Sequence, residues 1–261
     1  MKVVLLAGGT GTRIQEETSV KPKPMIEIGG RPILWHIMKH YAHYGFLEFF
    51  IALGYKGEVI KRYFLDYYTL NRSLTINLAS GEIDEHQNSK KKEDWIVHLV
   101  DTGLETLTGG RVRTCKDVRT MVARWNFHGN YGDGVSSINL KELLHFHKEQ
   151  GKLATVTAVR PPARFGGLIF DGDLVAQFTE KPQAGEGWIN GGFLVFEPGI
   201  FSYLDENSTT LEVDLLTRLA AEGQLSAYRH ESFWQCMDTL RDLHLLQQLW
   251  DEGNPPWKIW E

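Results

Sequence analysis

Val3 to Ala7 form an unbroken apolar run that stops at Gly8-Gly9, which predicts a strand buried on both faces of a parallel sheet. Beyond Pro32, residues Ile33, Leu34, Ile37, Met38 and Tyr41 recur at helical spacing until Gly45, so a helix follows. FLEFFIAL from Phe46 then reads as a second strand, completing a strand-helix-strand unit. The alternation continues. GEVIKRYF from Gly57 predicts a helix, LTINLA from Leu74 and WIVHLV from Trp95 predict strands, and LKELLHFHKE from Leu140 predicts another helix. LATVTAV from Leu153 is a strand rich in β-branched residues, and LIFDGDLVAQF from Leu168 reads as a hairpin turning at Asp171-Gly172. DLLTRLAAEG and TLRDLHLLQQLW close the chain as amphipathic helices. The order predicts an α/β fold, Rossmann-like, with a mostly parallel mixed sheet flanked by helices.

With 261 residues, 42% of them hydrophobic, and no internal repeat or low-complexity linker, the chain is expected to form one domain over 1–261. A formal net charge of −5 without a long basic block argues against nucleic acid as a partner. KKKED, Lys90 to Asp94, reads as a solvated loop within a polar stretch from Gly81 that is either an exposed excursion or an oligomer contact. Cys115 and Cys236 are the only cysteines and form no CxxC, which points to a reducing compartment and no zinc site. The apolar start is too short for a signal peptide and no run is long enough for a membrane span, so a cytoplasmic location without membrane contact is expected.

The glycines after the first strand narrow the chemistry. A Walker A loop needs lysine and then serine or threonine after its last glycine, whereas Gly11 is followed by Thr12-Arg13. Gly9-Thr10-Gly11 begins a dinucleotide fingerprint, but its third small position is Ile14 and two Lys-Pro pairs follow instead of a helix. A third arrangement fits better: the Gly8 to Gly11 amides wrap a nucleotide's phosphates, while Arg13 and Lys23 add two charges from opposite ends of an extended segment stiffened by Pro22 and Pro24.

LAGGTGTR followed by KPKPMIEIGGRPILWHIM resembles the N-terminal signature of sugar-nucleotide pyrophosphorylases, nucleotidyltransferases that join a nucleoside triphosphate to a sugar 1-phosphate. LVDTG at Leu99, TGGR at Thr108, YGDGV at Tyr131, EKP at Glu180, INGGF at Ile189, FWQCMDTLRD at Phe233 and the terminal PPWKIWE extend the resemblance nearly end to end, and it is strongest to the glucose-1-phosphate cytidylyltransferase branch. The resemblance implies a nucleotide-diphospho-sugar transferase fold with a nucleotide-binding part at about 1–135, a sugar-binding part at about 136–240 and a C-terminal helix and tail at 239–261. It also implies CTP and glucose 1-phosphate as substrates, Mg2+ as cofactor, a homo-oligomer, and a place in making deoxysugars for a bacterial surface polysaccharide.

Residue by residue, the resemblance makes Leu6, Ala7, Gly8, Gly9, Thr10, Gly11, Thr12 and Arg13, with Lys23, Thr106, Arg111 and Gly132, the nucleotide contacts. Arg13 and Lys23 are the catalytic charges, Lys181, Asn190 and Gly191 (with Gly192 beside it) meet the sugar phosphate, and Asp133 and Asp238 hold the metal. Two carboxylates suffice for magnesium, which keeps substrate phosphates and water as its other ligands. An aspartate between glycines is otherwise an ordinary turn residue, and one ahead of a helix an ordinary cap. Because O2 and N3 of cytosine both accept, a guanidinium such as that of Arg111 is expected to select cytosine over uracil. A UTP- or dTTP-dependent enzyme, or a weakly active subunit of the same fold, are the alternatives. ARWNFHGNYGDG interrupts the apolar strand expected before Asp133 and could shift it, and Ser136, Ser137 and Asn139 stand where acidic residues are common in the family. His36 and His40 lack the glutamate of HExxH and read as a helix-face pair; His145 and His147 need no catalytic role, and the late tryptophans read as core or subunit contacts. Cys236 reads as a small buried residue rather than a nucleophile.

Overall fold

The computed structural model describes residues 1–68, 73–86, 92–116, 126–161, 167–171, 174–179, 187–205 and 209–260. Its centre is a seven-stranded sheet in the spatial order Leu225–His230, Ala154–Val159, Ile189–Phe196, Phe127–Asn130, Lys2–Ala7, Glu48–Leu53, Ile96–Asp101. Ile189–Phe196 is antiparallel to both its neighbours, and every other pairing is parallel, so the sheet is mixed and mostly parallel as the alternation predicted. The first strand sits between Phe127–Asn130 and Glu48–Leu53, and its alternate residues enter different cores. Val3 and Leu5 pack with the helix Ile33–His43 and the C-terminal tail, while Val4 and Leu6 pack with Val112 and Cys115 of the helix Thr108–Lys116. Burial on both faces is why the run carries no polar residue.

The LTINLA strand lies outside this sheet: Ser73–Ile76 pairs only with Ile83–His86 in a separate antiparallel ribbon. The hairpin from Leu168 is present as Gly167–Asp171 paired with Leu174–Thr179, and its turn at 172–173 lies outside the described residues, as do Lys90 and Lys91 of the KKKED run. DLLTRLAAEG begins with a π-helical stretch, Leu211–Leu216, before its α-helical turn Thr217–Ala221.

The polar interruption before Asp133 does not displace the strand. Phe127–Asn130 is buried throughout and in register between its neighbours, because its polar residues are used as core. His128 is fully buried, with its ring 4.6 Å from Phe46 and 5.3 Å from Tyr41, and Gly129 leaves the space that the Phe196 ring fills. His36 and His40 are also buried, each with Nε2 2.9 Å from a carbonyl, that of Ile28 or Ile138. Around His36 stand Trp35, Trp250, Trp257 and Trp260, so the late tryptophans dock the tail onto the helix Ile33–His43. Gly29 is glycine because a Cβ there would overlap the Trp250 indole.

Burial pushes these imidazoles down, His36 and His40 to about 4 and His128 to about 3, so all three are neutral in the folded protein at neutral pH. Above the unfolded value near 6.5 neither state takes a proton and these groups leave stability unchanged. Below it the unfolded chain binds protons that the folded chain refuses, so stability falls as pH drops towards 4. Each histidine contributes a slope approaching about 1.4 kcal/mol per pH unit. Urea unfolding at pH 7, 6 and 5 is expected to show a steep fall in midpoint, with His128→Phe flattening it; a midpoint independent of pH would contradict the buried neutral assignment.

Candidate active site

Gly8 follows the first strand at the carboxyl edge of the parallel strands, where open α/β sheets bind ligands. Gly11 takes a left-handed φ of 65°, and the chain enters the short turns Thr12–Ile14 and Gln15–Thr18. Thr18 Oγ1 donates to the carbonyls of Gly11 and Ile14 at 3.1 and 3.2 Å, and Ile14 is buried. The segment between Arg13 and Lys23 is therefore folded back in helical turns, not extended as the proline pairs suggested. The prolines act later, where Pro22 and Pro24 frame the turn Lys23–Met25.

That turn aims Lys23 into the site. Its ammonium bonds Asp133 Oδ2 at 2.7 Å and also bonds Asp238 Oδ1, while Arg13 Nη1 reaches Asp238 Oδ2 at 3.1 Å. Two carboxylates 105 positions apart thus converge on one cation. A short antiparallel ribbon makes this possible. Gly134–Ser136, which starts directly after Asp133, pairs with Trp234–Cys236, and Met237 N donates to Asp133 O at 2.9 Å. Gly132, at φ 74°, makes the turn into Asp133; its N–H donates to Asn130 Oδ1 at 2.8 Å, and a Cβ there would come within 2.8 Å of Leu6 O. Asp238 is not the cap of the helix Leu240–Asp251: Thr239 is, in a reciprocal capping box with Asp242. The capping need is met by its neighbour, which leaves the Asp238 carboxylate facing the two cations.

Burial alone would lower the Lys23 ammonium, but Asp133 and Asp238 outweigh it and hold it above its ordinary value. Burial raises Asp133 against the opposing charge of Lys23, with Asp238 adding to the rise, while for Asp238 the burial effect is overcome by Lys23 and then Arg13. One of the two carboxyls therefore goes up and the other down, as when like charges share a site.

The two aspartates stand between two compartments. A cavity of about 340 Å³ runs along Leu6, Ala7, Gly9, Gly11, Thr12 and Arg13 to Lys23, and one of about 620 Å³ is lined by Asn190, Gly191, Gly192, Trp234 and the first turn of the last helix. Asp133, Asp238 and Tyr131 line both. Tyr131 opens the YGDGV motif, which by itself gives it no role; its hydroxyl accepts from Asn190 Nδ2 at 3.0 Å, and its ring occupies the space beside Gly192. Gly191 and Gly192 do form a bulge, where the register with Ala154–Val159 shifts, and Trp234 Nε1 locks it by donating to Gly191 O at 2.7 Å. Lys181 lies outside the described residues.

The remaining nucleotide-contact candidates sit behind the glycine loop. Arg111 is 5% exposed; Nη1 donates to Leu53 O, Thr102 Oγ1 and Gly103 O at 3.0, 2.6 and 2.9 Å, and Nη2 to Gly8 O and Leu104 O at 3.2 and 3.1 Å. Both terminal nitrogens thus bond protein oxygens, four backbone carbonyls and the Thr102 hydroxyl. Gly8 and Gly54 are glycines because a Cβ at either would overlap Arg111. Thr106 is buried in the loop whose carbonyls Arg111 holds, and Thr10 is exposed outside the 340 Å³ cavity. Ser136 and Asn139 also have structural duties: Ser136 Oγ donates to Phe233 O at 2.9 Å, and Asn139 caps the helix Leu140–Gln150. His147 is buried beside Thr155 and Glu197, away from both cavities. Cys236 lines the larger cavity, but burial and the nearby carboxylates push its thiol up to about 12, so it is no nucleophile at neutral pH.

Among the described residues no cluster of three or more histidine, cysteine, aspartate or glutamate side chains is placed to hold a metal ion. The pair Asp133 and Asp238 still fits a hard dication: both carboxylates already face one positive charge, and such an ion completes its shell with phosphate and water.

Known proteins resemble this chain in sequence and in fold. The family model for nucleotidyl transferases matches residues 2–250. Glucose-1-phosphate cytidylyltransferase of Salmonella typhi is 48% identical over 262 residues, and the probable glucose-1-phosphate cytidylyltransferase of Bacillus subtilis is 43% identical over 261, with both chains covered completely in each case. A crystal structure of UDP-glucose pyrophosphorylase complexed with UDP-glucose superposes with a TM-score of 0.66 over 97% of this chain and 99% of that one; at 15% identity it speaks for the fold alone. With the glycine loop, the convergent aspartates and whole-length identity in agreement, the chain belongs to the nucleotidyl transferase family, and within it to the glucose-1-phosphate cytidylyltransferases.

Proposed function

We propose that the chain joins CTP and glucose 1-phosphate to give CDP-glucose and pyrophosphate. The observation that carries this reading is the pair of aspartates on the wall shared by the glycine-loop cavity and the Asn190–Gly192 cavity. The triphosphate lies along the loop, with Arg13 beside its outer phosphates and Lys23 beside the α-phosphate. The sugar phosphate enters from the larger side, and one of its oxygens attacks the α-phosphorus in line, forming the new P–O bond as the bond to pyrophosphate breaks. Both reactants are anions, so positioning and charge neutralisation supply the catalysis and no covalent nucleophile is required.

Nucleotidyl transferases generally use a divalent metal ion; here we assign Mg2+ to Asp133 and Asp238, where it would neutralise charge building on the transferred phosphoryl group. Lys23 exchanges a carboxylate partner for phosphate when substrate arrives, and its elevated pKa keeps it charged throughout. Asn190 offers both a donor and an acceptor to sugar hydroxyls. Cytosine selection is assigned to the loops that Arg111 holds in place. No described helix is long and apolar enough to cross a membrane, and both cysteines are free, which supports our placing the reaction in the cytoplasm. A homo-oligomer, and supply of a deoxysugar route to a surface polysaccharide, belong to the same proposal.

Pyrophosphate release should be measured with glucose 1-phosphate and Mg2+, offering CTP, UTP, dTTP, ATP and GTP in parallel. Release with CTP is the expected result. Release with another base alone would keep the mechanism and overturn the cytosine assignment, whereas silence from folded protein would leave a non-catalytic nucleotide binder.

A further inference from the structure

Arg241 is the only basic residue among the described residues that line the 620 Å³ cavity. The acidic ones there are Asp133, Asp238 and Asp242. Asp242 is spoken for, accepting from the N–H groups of Asp238 and Thr239 at 3.1 and 2.9 Å and from Thr239 Oγ1 at 2.9 Å. Arg13 and Lys23 line the other cavity and are engaged with the aspartates. Arg241, by contrast, is exposed and has no hydrogen-bond or ion-pair partner among the described residues.

Its position makes this unusual. Arg241 is the second residue of the helix Leu240–Asp251, in the first turn, where the positive end of the helix dipole disfavours a cation and Asp242 supplies the favoured sign. Helix stability therefore gives no reason for an arginine there. The reaction gives one: the attacking group is a phosphate monoester dianion that must approach two carboxylates, and a cation on its own side, in addition to the Lys181 expected there, offsets that repulsion.

We propose that Arg241 binds and orients the phosphate of the sugar 1-phosphate through the forked N–H donors of its guanidinium, an inference that rests on the function proposed above. The arginine is then a substrate-positioning residue that acts on one substrate only.

Steady-state kinetics of Arg241→Met and Arg241→Lys test it. The methionine variant should raise KM for glucose 1-phosphate about 10–100-fold with KM for CTP unchanged, the size expected for a lost charge-assisted hydrogen bond. Lysine should recover part of the loss, since it keeps the charge without the fork. Calorimetric titration with glucose 1-phosphate and with glucose supplies a readout without turnover: wild type should prefer the phosphorylated sugar, and the methionine variant should lose that preference. Removing a first-turn cation should not lower Tm, so misfolding would not mimic the result. An unmoved KM for glucose 1-phosphate, or an equal rise for CTP, would overturn the assignment alone. A wild type that turns over no nucleotide would sink the functional reading and this inference with it.

Discussion

Asp133→Asn is expected to lower the rate of CDP-glucose formation by about 10²–10³-fold, the scale of losing one charged group that stabilises a transition state. Its carboxylate lines both cavities and shares the Lys23 ammonium with Asp238, so the change removes half of the proposed cation site at the junction of the two substrates. The amide keeps the shape and can still accept one hydrogen bond from Lys23, so melting temperature should change little. Pyrophosphate release at saturating CTP and glucose 1-phosphate, alongside a thermal melt, measures both. Asp238→Asn should behave similarly in rate, because each carboxylate alone is insufficient. Activity within about fivefold of wild type in the Asp133 variant would remove it from the machinery.

Arg111→Ala should act on stability first. The buried guanidinium bonds four backbone carbonyls and the Thr102 hydroxyl, tying together the ends of three adjacent strands, Lys2–Ala7, Glu48–Leu53 and Ile96–Asp101. Truncation leaves the Gly103 and Leu104 carbonyls without this partner, while Gly8 O and Leu53 O keep the N–H groups of Tyr55 and Thr102, and with the space it empties a loss of about 3 kcal/mol is expected, equivalent to a fall in Tm of roughly 6–12 °C. The glycine loop loses its backing with it, so activity should drop with every nucleotide and the preference for CTP over UTP should persist. Differential scanning calorimetry and paired CTP and UTP kinetics decide the matter. A relative gain for UTP in a variant that melts like wild type would restore the direct reading of cytosine.

These two residues also show what local pattern could and could not convey. Runs such as Val3 to Ala7 and the spacing from Ile33 to Tyr41 are produced by burial at the strand and helix periods, so the main strands and helices were readable from them. Gly11 was readable as a turn glycine because glycine permits positive φ, whereas Gly8 is explained by the Arg111 guanidinium packed against it, which local pattern does not show. The strand before Asp133 was harder to read, because His128 and Gly129 look polar or weak locally and are explained only by the rings of Phe46, Tyr41 and Phe196 that surround them. The YGDGV motif marks Tyr131 but not its role, for the same reason, since nothing near it in the chain announces Asn190 or Gly192.

By itself the sequence determined the order of elements, the glycine loop and which charged residues were available, since these follow from residue type and spacing along the chain. Only the tertiary structure decided what the charges face: Asp133 and Asp238 meet at Lys23 because a three-residue ribbon pairs across the fold, and Arg111 turns its donors to backbone carbonyls because the strand ends converge there. Charge and hydrogen-bonding capacity belong to a residue, but their partners are set by distance in space, which a local pattern does not encode.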